Sequence, residues 1–85
     1  MTTIAHNRYY RYDEFTAILQ RWAQAHPALV ALHSIGKSHE GREIWLLTVT
    51  RQSTGPVTDK PAYWVDANIH ASELAGGAAA LYFID

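Results

Sequence analysis

The sequence predicts an α/β chain, in the order helix, antiparallel hairpin, further strand, helix. Three observations predict it. Apolar residues recur at helical spacing through residues 13–26. Three short apolar runs, 29–35, 43–50 and 62–69, are set apart by connections rich in glycine, proline and polar residues. The last stretch, from about residue 73, is alanine-rich and apolar nearly all round, as in a helix packed inside a larger body.

Composition bounds the rest. At 85 residues the chain suffices for one small domain at most. Hydrophobic residues make up 48% and aromatics 12%, which excludes a disordered tail. A formal net charge of −1 gives no electrostatic reason to expect nucleic acid or an anionic membrane as partner, and neither is expected. Without cysteine there is no disulfide and no thiolate metal site, so any metal must be held by His, Asp or Glu. The polar start, Met1-Thr2-Thr3-Ile4-Ala5-His6-Asn7-Arg8, lacks the apolar core of a signal peptide. No apolar run approaches the ~20 residues that span a bilayer. A cytoplasmic protein is the expectation, with a leader missing from this sequence left open.

Taken in order, Tyr9, Tyr10 and Tyr12 form an aromatic lead-in expected to pack on the first helix. In that helix, Phe15, Ile18, Leu19 and Trp22 fall at i, i+3, i+4 and i+7, on one face. Asp13 is the expected amino-terminal cap. Pro27 disfavours helical geometry at His26 and ends the element. His26 then sits in the last turn, near the negative end of the helix dipole, without a chemical role.

Strands over 29–35 and 43–50, joined by Gly36-Lys37-Ser38-His39-Glu40-Gly41-Arg42, pair most simply as an antiparallel hairpin. Glu40 and Arg42 are read as turn residues, and His6, His33 and His39 receive no role. The second strand is apolar on both faces at its centre and should be covered on both. Gly-Lys-Ser suggests a phosphate loop, but the first glycine of that motif is missing, since position 31 is alanine. Residues 51–60 hold Gly-Pro among polar residues and form the clearest break in the chain.

The chemistry gathers at the third strand. Asp66-Ala67-Asn68-Ile69-His70-Ala71-Ser72-Glu73 runs from a strand through a short loop into a helix. In open α/β sheets that carboxyl edge is where ligands and catalytic groups collect. Imidazole nitrogen and carboxylate oxygen are two of the usual zinc donors. His-x-x-Glu alone is a weak signal. With five histidines and eight acidic residues, one such pair arises by accident with a probability of roughly one in four. The other histidines serve as controls: His6, His26, His33 and His39 are followed at the third position by Tyr9, Leu29, Gly36 and Arg42. The competing reading is a surface histidine beside a helix-capping glutamate. Glu73 would lie at the positive end of the final helix, which favours its ionised form. Gly76 and Gly77 cost helix stability but allow close approach of a neighbouring element. The final helix reaches Asp85 without a glycine cap, basic last turn or trailing proline. An all-round apolar helix there would expose a large patch, so the sequence is expected to be the front portion of a longer protein.

At this point the chain resembles the amino-terminal part of the M14 family of zinc carboxypeptidases. Three segments carry the likeness: the opening helix after its tyrosine-rich lead-in; Ile35-Gly36-Lys37-Ser38-His39-Glu40-Gly41-Arg42-Glu43-Ile44, similar to the family's hairpin signature; and residues 66–73, similar to its first zinc-ligand motif. The resemblance implies an α/β fold with a mixed sheet and helices on both faces. It implies that residues 1–85 are the front of an M14 catalytic domain. It further implies one catalytic zinc per full-length chain, with His70 and Glu73 as two of its ligands, and peptide or protein C-termini as substrate. The third ligand, a histidine, lies downstream in the family. So do the glutamate base, the arginines for the substrate's terminal carboxylate and a substrate-contacting tyrosine, so no catalytic residue is assigned within this chain. A zinc of this kind lowers the pKa of water to about 7 and polarises the scissile carbonyl. Asp66 is a candidate second-shell partner, with its side of the strand left open.

The sequence departs from pancreatic-type members, which carry arginine before the glutamate ligand and tryptophan after it. Here those positions are Ser72 and Leu74, which puts pancreatic-type specificity in doubt and is closer to bacterial-type or divergent members. Related zinc deacylases share a similar first motif, so a deacylase of the same architecture stays open. So does a metal-free interaction domain that docks through its final helix. The 85-residue chain alone should turn over nothing, and should be poorly stable or self-associating for want of the remainder of its catalytic domain.

Overall fold

A computed structural model describes residues 4–85. The first helix, α1 (Tyr12–Ala25), runs as its apolar spacing predicts and buries Ile18, Leu19 and Trp22. Its cap differs from expectation. Arg11, not Asp13, occupies the cap position, and Glu14 Oε1 accepts the Arg11 N–H at 2.8 Å. That bond, with Arg8 Nη2 2.6 Å from Glu14 Oε2, holds the Glu14 carboxyl below its usual range. The cap thus falls two residues earlier than expected, and Glu14 at the third helical position reaches back to the N–H of the cap residue. At the other end Pro27 stops the helix: the His26 N–H closes the last turn on Trp22 O, and His26 O accepts from Leu29 and Val30.

The hairpin forms from β1 (Val30–Lys37) and β2 (Glu43–Val49), antiparallel, with Val30 opposite Val49, Leu32 opposite Leu47 and Ser34 opposite Trp45. The register shifts between Ser34 and Lys37, and pairing resumes at Lys37 opposite Glu43. This carries β1 two residues past its expected end. The extension is held by the Lys37 Nζ–Glu43 Oε1 pair at 2.7 Å and by the Ser34 hydroxyl on Glu43. Together they hold the Glu43 carboxyl below its usual range, the lysine first. At the tip, Gly41 takes φ +81°, a left-handed conformation that closes the turn back on Ser38 O.

Strand alternation puts Val30, Leu32, Trp45 and Leu47 on the face toward α1. There Ile18, Leu19, Trp22 and Val30 form the core with Leu81 of the final helix, α2 (Leu74–Ile84). Trp45 Nε1 donates to Thr16 Oγ1 at 2.9 Å, and Tyr12 OH donates to Glu43 O at 2.8 Å, tying the sheet to both turns of α1 that face it. The tyrosine lead-in packs as expected at Tyr10, whose ring meets Phe15 edge-on at 6.4 Å. The opposite face of the hairpin, expected to be covered, leaves Ile35 and Ile44 exposed among the described residues.

The connection 51–60 contains two 3-10 turns, Gln52–Thr54 and Val57–Asp59. The further strand expected over 62–69 does not form, which corrects the sequence reading. Among the described residues the sheet has two strands, each paired only with the other. A strand is defined by a ladder, and 62–69 makes none with either strand of the hairpin. Side chains anchor this segment instead. Tyr63 stacks on Phe83 at 6.0 Å, and Trp64 Nε1 donates to Asp66 Oδ2 at 2.7 Å. The helix, hairpin and final helix remain consistent with the α/β expectation. No helix among the described residues is long and apolar enough to cross a membrane.

The final helix is apolar on most sides, as expected. Gly77 and Leu81 are buried, while Leu74, Tyr82 and Phe83 are exposed. At its end Asp85 is the cap, and its Oδ2 accepts from His6 Nε2 at 2.9 Å and from the Ile4 N–H at 3.3 Å. His6, which the sequence left without a role, thereby closes the chain start onto the end of α2, with its ring edge on Tyr82.

Candidate metal centre

The His-x-x-Glu loop is shaped by its junction with α2. Asn68 takes φ +66°, a left-handed turn that asparagine tolerates better than most residues. Two residues on, the Glu73 N–H donates to His70 O at 3.0 Å, and Glu73 O accepts from the Gly76 N–H at 3.2 Å as the helix begins. This turn folds the two side chains toward each other. His70 Nδ1 stands 3.3 Å from Glu73 Oε1. Glu73 occupies the cap position of α2, and its side chain makes no hydrogen bond to the helix backbone.

The donor set and its spacing suit a cation. Around a tetrahedral zinc, a nitrogen at about 2.0–2.1 Å and an oxygen at about 2.0–2.2 Å stand roughly 3.3–3.5 Å apart. The His70–Glu73 separation of 3.3 Å matches that edge. Both side chains are mostly exposed, so neither is already committed to a buried partner. With Asp66, Ala67, Asn68 and Ile69 they line one open groove. Asp66 lines this groove and accepts the Trp64 indole N–H at Oδ2; its hydrogen bond goes to Trp64 and not to His70.

Of the other histidines, His6 pairs with Asp85, His26 caps α1, His33 lies on β1 opposite Leu46, and His39 lies in the hairpin turn. Among the described residues, no three His, Cys, Asp or Glu side chains converge to hold a metal ion. Sequence reasoning singled out both donors that do approach each other. It missed Asn68, whose left-handed turn sets the loop. The Asn68-Ile69 step after an apolar run was the available signal, since asparagine is the residue most often found in that conformation after glycine.

Comparison with known proteins shows the family. The family model described as "Zinc carboxypeptidase" (peptidase M14) matches residues 15–85. Mouse (Mus musculus) carboxypeptidase A6 is 34% identical over 76 residues, which is 89% of this chain and 17% of that protein. Mouse carboxypeptidase M is 35% identical over 78 residues, 92% of this chain and 18% of that protein. Zinc carboxypeptidase A 1 of Drosophila melanogaster is 37% identical over 86 residues, 98% of this chain and 20% of that protein. The chain thus spans less than a quarter of the length of these relatives. With a family match across both helices, the hairpin and the His70–Glu73 loop, the chain belongs to the zinc carboxypeptidase family, peptidase M14.

Proposed function

We propose that residues 1–85 are the amino-terminal part of the catalytic domain of a zinc-dependent metallocarboxypeptidase, which hydrolyses the last peptide bond of peptide or protein substrates. In this reading His70 and Glu73 are two of three protein ligands of one zinc. The observation that carries it is the 3.3 Å approach of His70 Nδ1 and Glu73 Oε1 at the start of α2 in a chain of this family. A bound zinc supplies Lewis-acid polarisation of the scissile carbonyl and an acidified water.

The chain's own residues do the positioning. The α2 amino terminus carries Glu73 at its cap position, and the turn at His70 O holds the imidazole beside it. The remaining ligand, the general base and the groups that grip the substrate's terminal carboxylate lie outside these residues. Leu74 and Ser72 add no charge to the loop, so recognition of that carboxylate must come from elsewhere. The unladdered segment 62–69 and the exposed Tyr82 and Phe83 are the surfaces that the remainder of the domain covers.

The test is substrate choice of the full-length protein, with unblocked peptides beside N-acylated amino acids. Release of C-terminal residues from peptides supports the carboxypeptidase. Cleavage of acyl groups alone would reassign the protein as a deacylase of the same architecture. No hydrolysis of either, with no zinc bound, would favour the interaction-domain reading.

A further inference from the structure

The two glycines of α2 are not equivalent. A Cβ built on Gly76 would meet only the Ala67 Cβ, at 3.6 Å, an ordinary van der Waals contact. A Cβ built on Gly77 would overlap the Asn68 side-chain oxygen and stand 2.9 Å from Phe15 Cζ. Gly77 is buried, wedged between the left-handed Asn68 on one side and α1 on the other. Asn68 lies two residues before His70, and the helix backbone from Gly77 leads back to Glu73 through the Gly76 N–H bond. Gly77 therefore packs on the His70 end of the loop and lies one turn along the helix that begins at the Glu73 end, the two side chains approaching at 3.3 Å.

We propose that Gly77 is a positioning residue for the metal centre: its missing side chain lets Asn68 seat on α2, and that seat sets the distance between His70 and Glu73. This rests on the zinc-ligand reading above. A side chain at 77 pushes Asn68 outward, carries the His70 end of the loop with it and separates the donors. Rotation of the exposed Asn68 side chain about its two torsions is the competing outcome, and it would leave zinc affinity unchanged. Removing the Asn68 side chain while keeping a residue that accepts φ +66° should relieve the overlap and leave the loop in place.

The test is a cycle on the full-length protein: wild type, Gly77→Ala, Asn68→Gly, and the double variant. Gly76→Ala serves as a control with the same gain in helix propensity, and His70→Ala as the ligand control. Zinc dissociation constants are read by chelator competition, beside the thermal midpoint of the metal-free protein. Gly77→Ala should weaken zinc binding about tenfold, the lower end of the range for groups that orient a ligand. In the Asn68→Gly background the same substitution should change it by no more than about twofold, the limit for uncoupled sites. Gly76→Ala should leave zinc affinity within that limit.

Should Gly77→Ala fail to fold, the double variant carries the test: it should fold and bind zinc, and its failure to do so overturns the role. Equal affinity in wild type and Gly77→Ala, with zinc lost in His70→Ala, overturns the role of Gly77 alone. A loss in Gly77→Ala that persists unchanged in the Asn68→Gly background does the same. A wild type that binds no zinc overturns the ligand assignment, and this role with it.

Discussion

Leu81 joins α2 to the rest of the structure, and its truncation is the sharpest test of the packing. Its side chain is 2% exposed and meets Ile18 and Leu19, at 4% and 9%, and Trp22, at 1%. Full burial of a leucine contributes about 1.5–3 kcal/mol from transfer alone. The cavity left by Leu→Ala adds to that, more where the walls cannot collapse. Here the walls include one face of α1, whose amino-terminal turns are tied to the hairpin by the Tyr12 and Trp45 hydrogen bonds, so collapse is limited. Leu81→Ala should therefore cost about 3–4 kcal/mol, within the range of such core truncations. Leu81→Met, which nearly conserves volume, should cost less than about 1.5 kcal/mol. Guanidinium unfolding reads both as shifts of the midpoint at unchanged slope. Because α2 carries Glu73 at its amino end, zinc affinity should fall with Leu81→Ala as well. A loss below about 1 kcal/mol would refute the docking of α2 through Leu81.

Two further outcomes follow from the hairpin and the cap. Glu43 and Glu14 both have depressed carboxyl pKa values, caused first by Lys37 and by the Arg11 N–H respectively. A depressed folded pKa means stability present above the unfolded value of about 4.3 and lost as pH falls through the folded one. Both sites are exposed, so the effect is small. The thermal midpoint of wild type should drop more steeply below about pH 4.3 than that of Glu14→Gln/Glu43→Gln; parallel acid limbs would contradict the assignment. The Trp45–Thr16 hydrogen bond is part-buried, so Trp45→Phe and Thr16→Val should each cost roughly 1 kcal/mol. Their double variant should cost less than the sum, and strict additivity in the double-mutant cycle would show that the bond contributes nothing.

What was legible in the sequence is what short-range chemistry decides. The spacing of Ile18, Leu19 and Trp22 places a helix face, Pro27 ends it, and the glycines at 36 and 41 mark the hairpin. His70 and Glu73 meet because a turn and a helix start lie between them, a local geometry that spacing alone can express. Cap assignment failed by two residues, since Glu14 at the third helical position accepts the Arg11 N–H and the helix starts at Tyr12, ahead of Asp13. The strand over 62–69 failed for a different reason. Alternating apolar residues describe a surface fit to be paired, but the two hairpin strands pair with each other and not with this segment. Likewise Gly76 and Gly77 announce a close approach without saying that Asn68 and Phe15 make it, or that only Gly77 requires it.

The central claim is that His70 and Glu73 hold a zinc ion, and metal content tests it most directly. The full-length protein, purified without added metal and dialysed against a weak chelator, should carry one zinc per chain. His70→Ala and Glu73→Ala should each lose it while keeping the wild-type circular dichroism spectrum. Full zinc content in both variants would contradict the assignment and leave this loop as a surface turn.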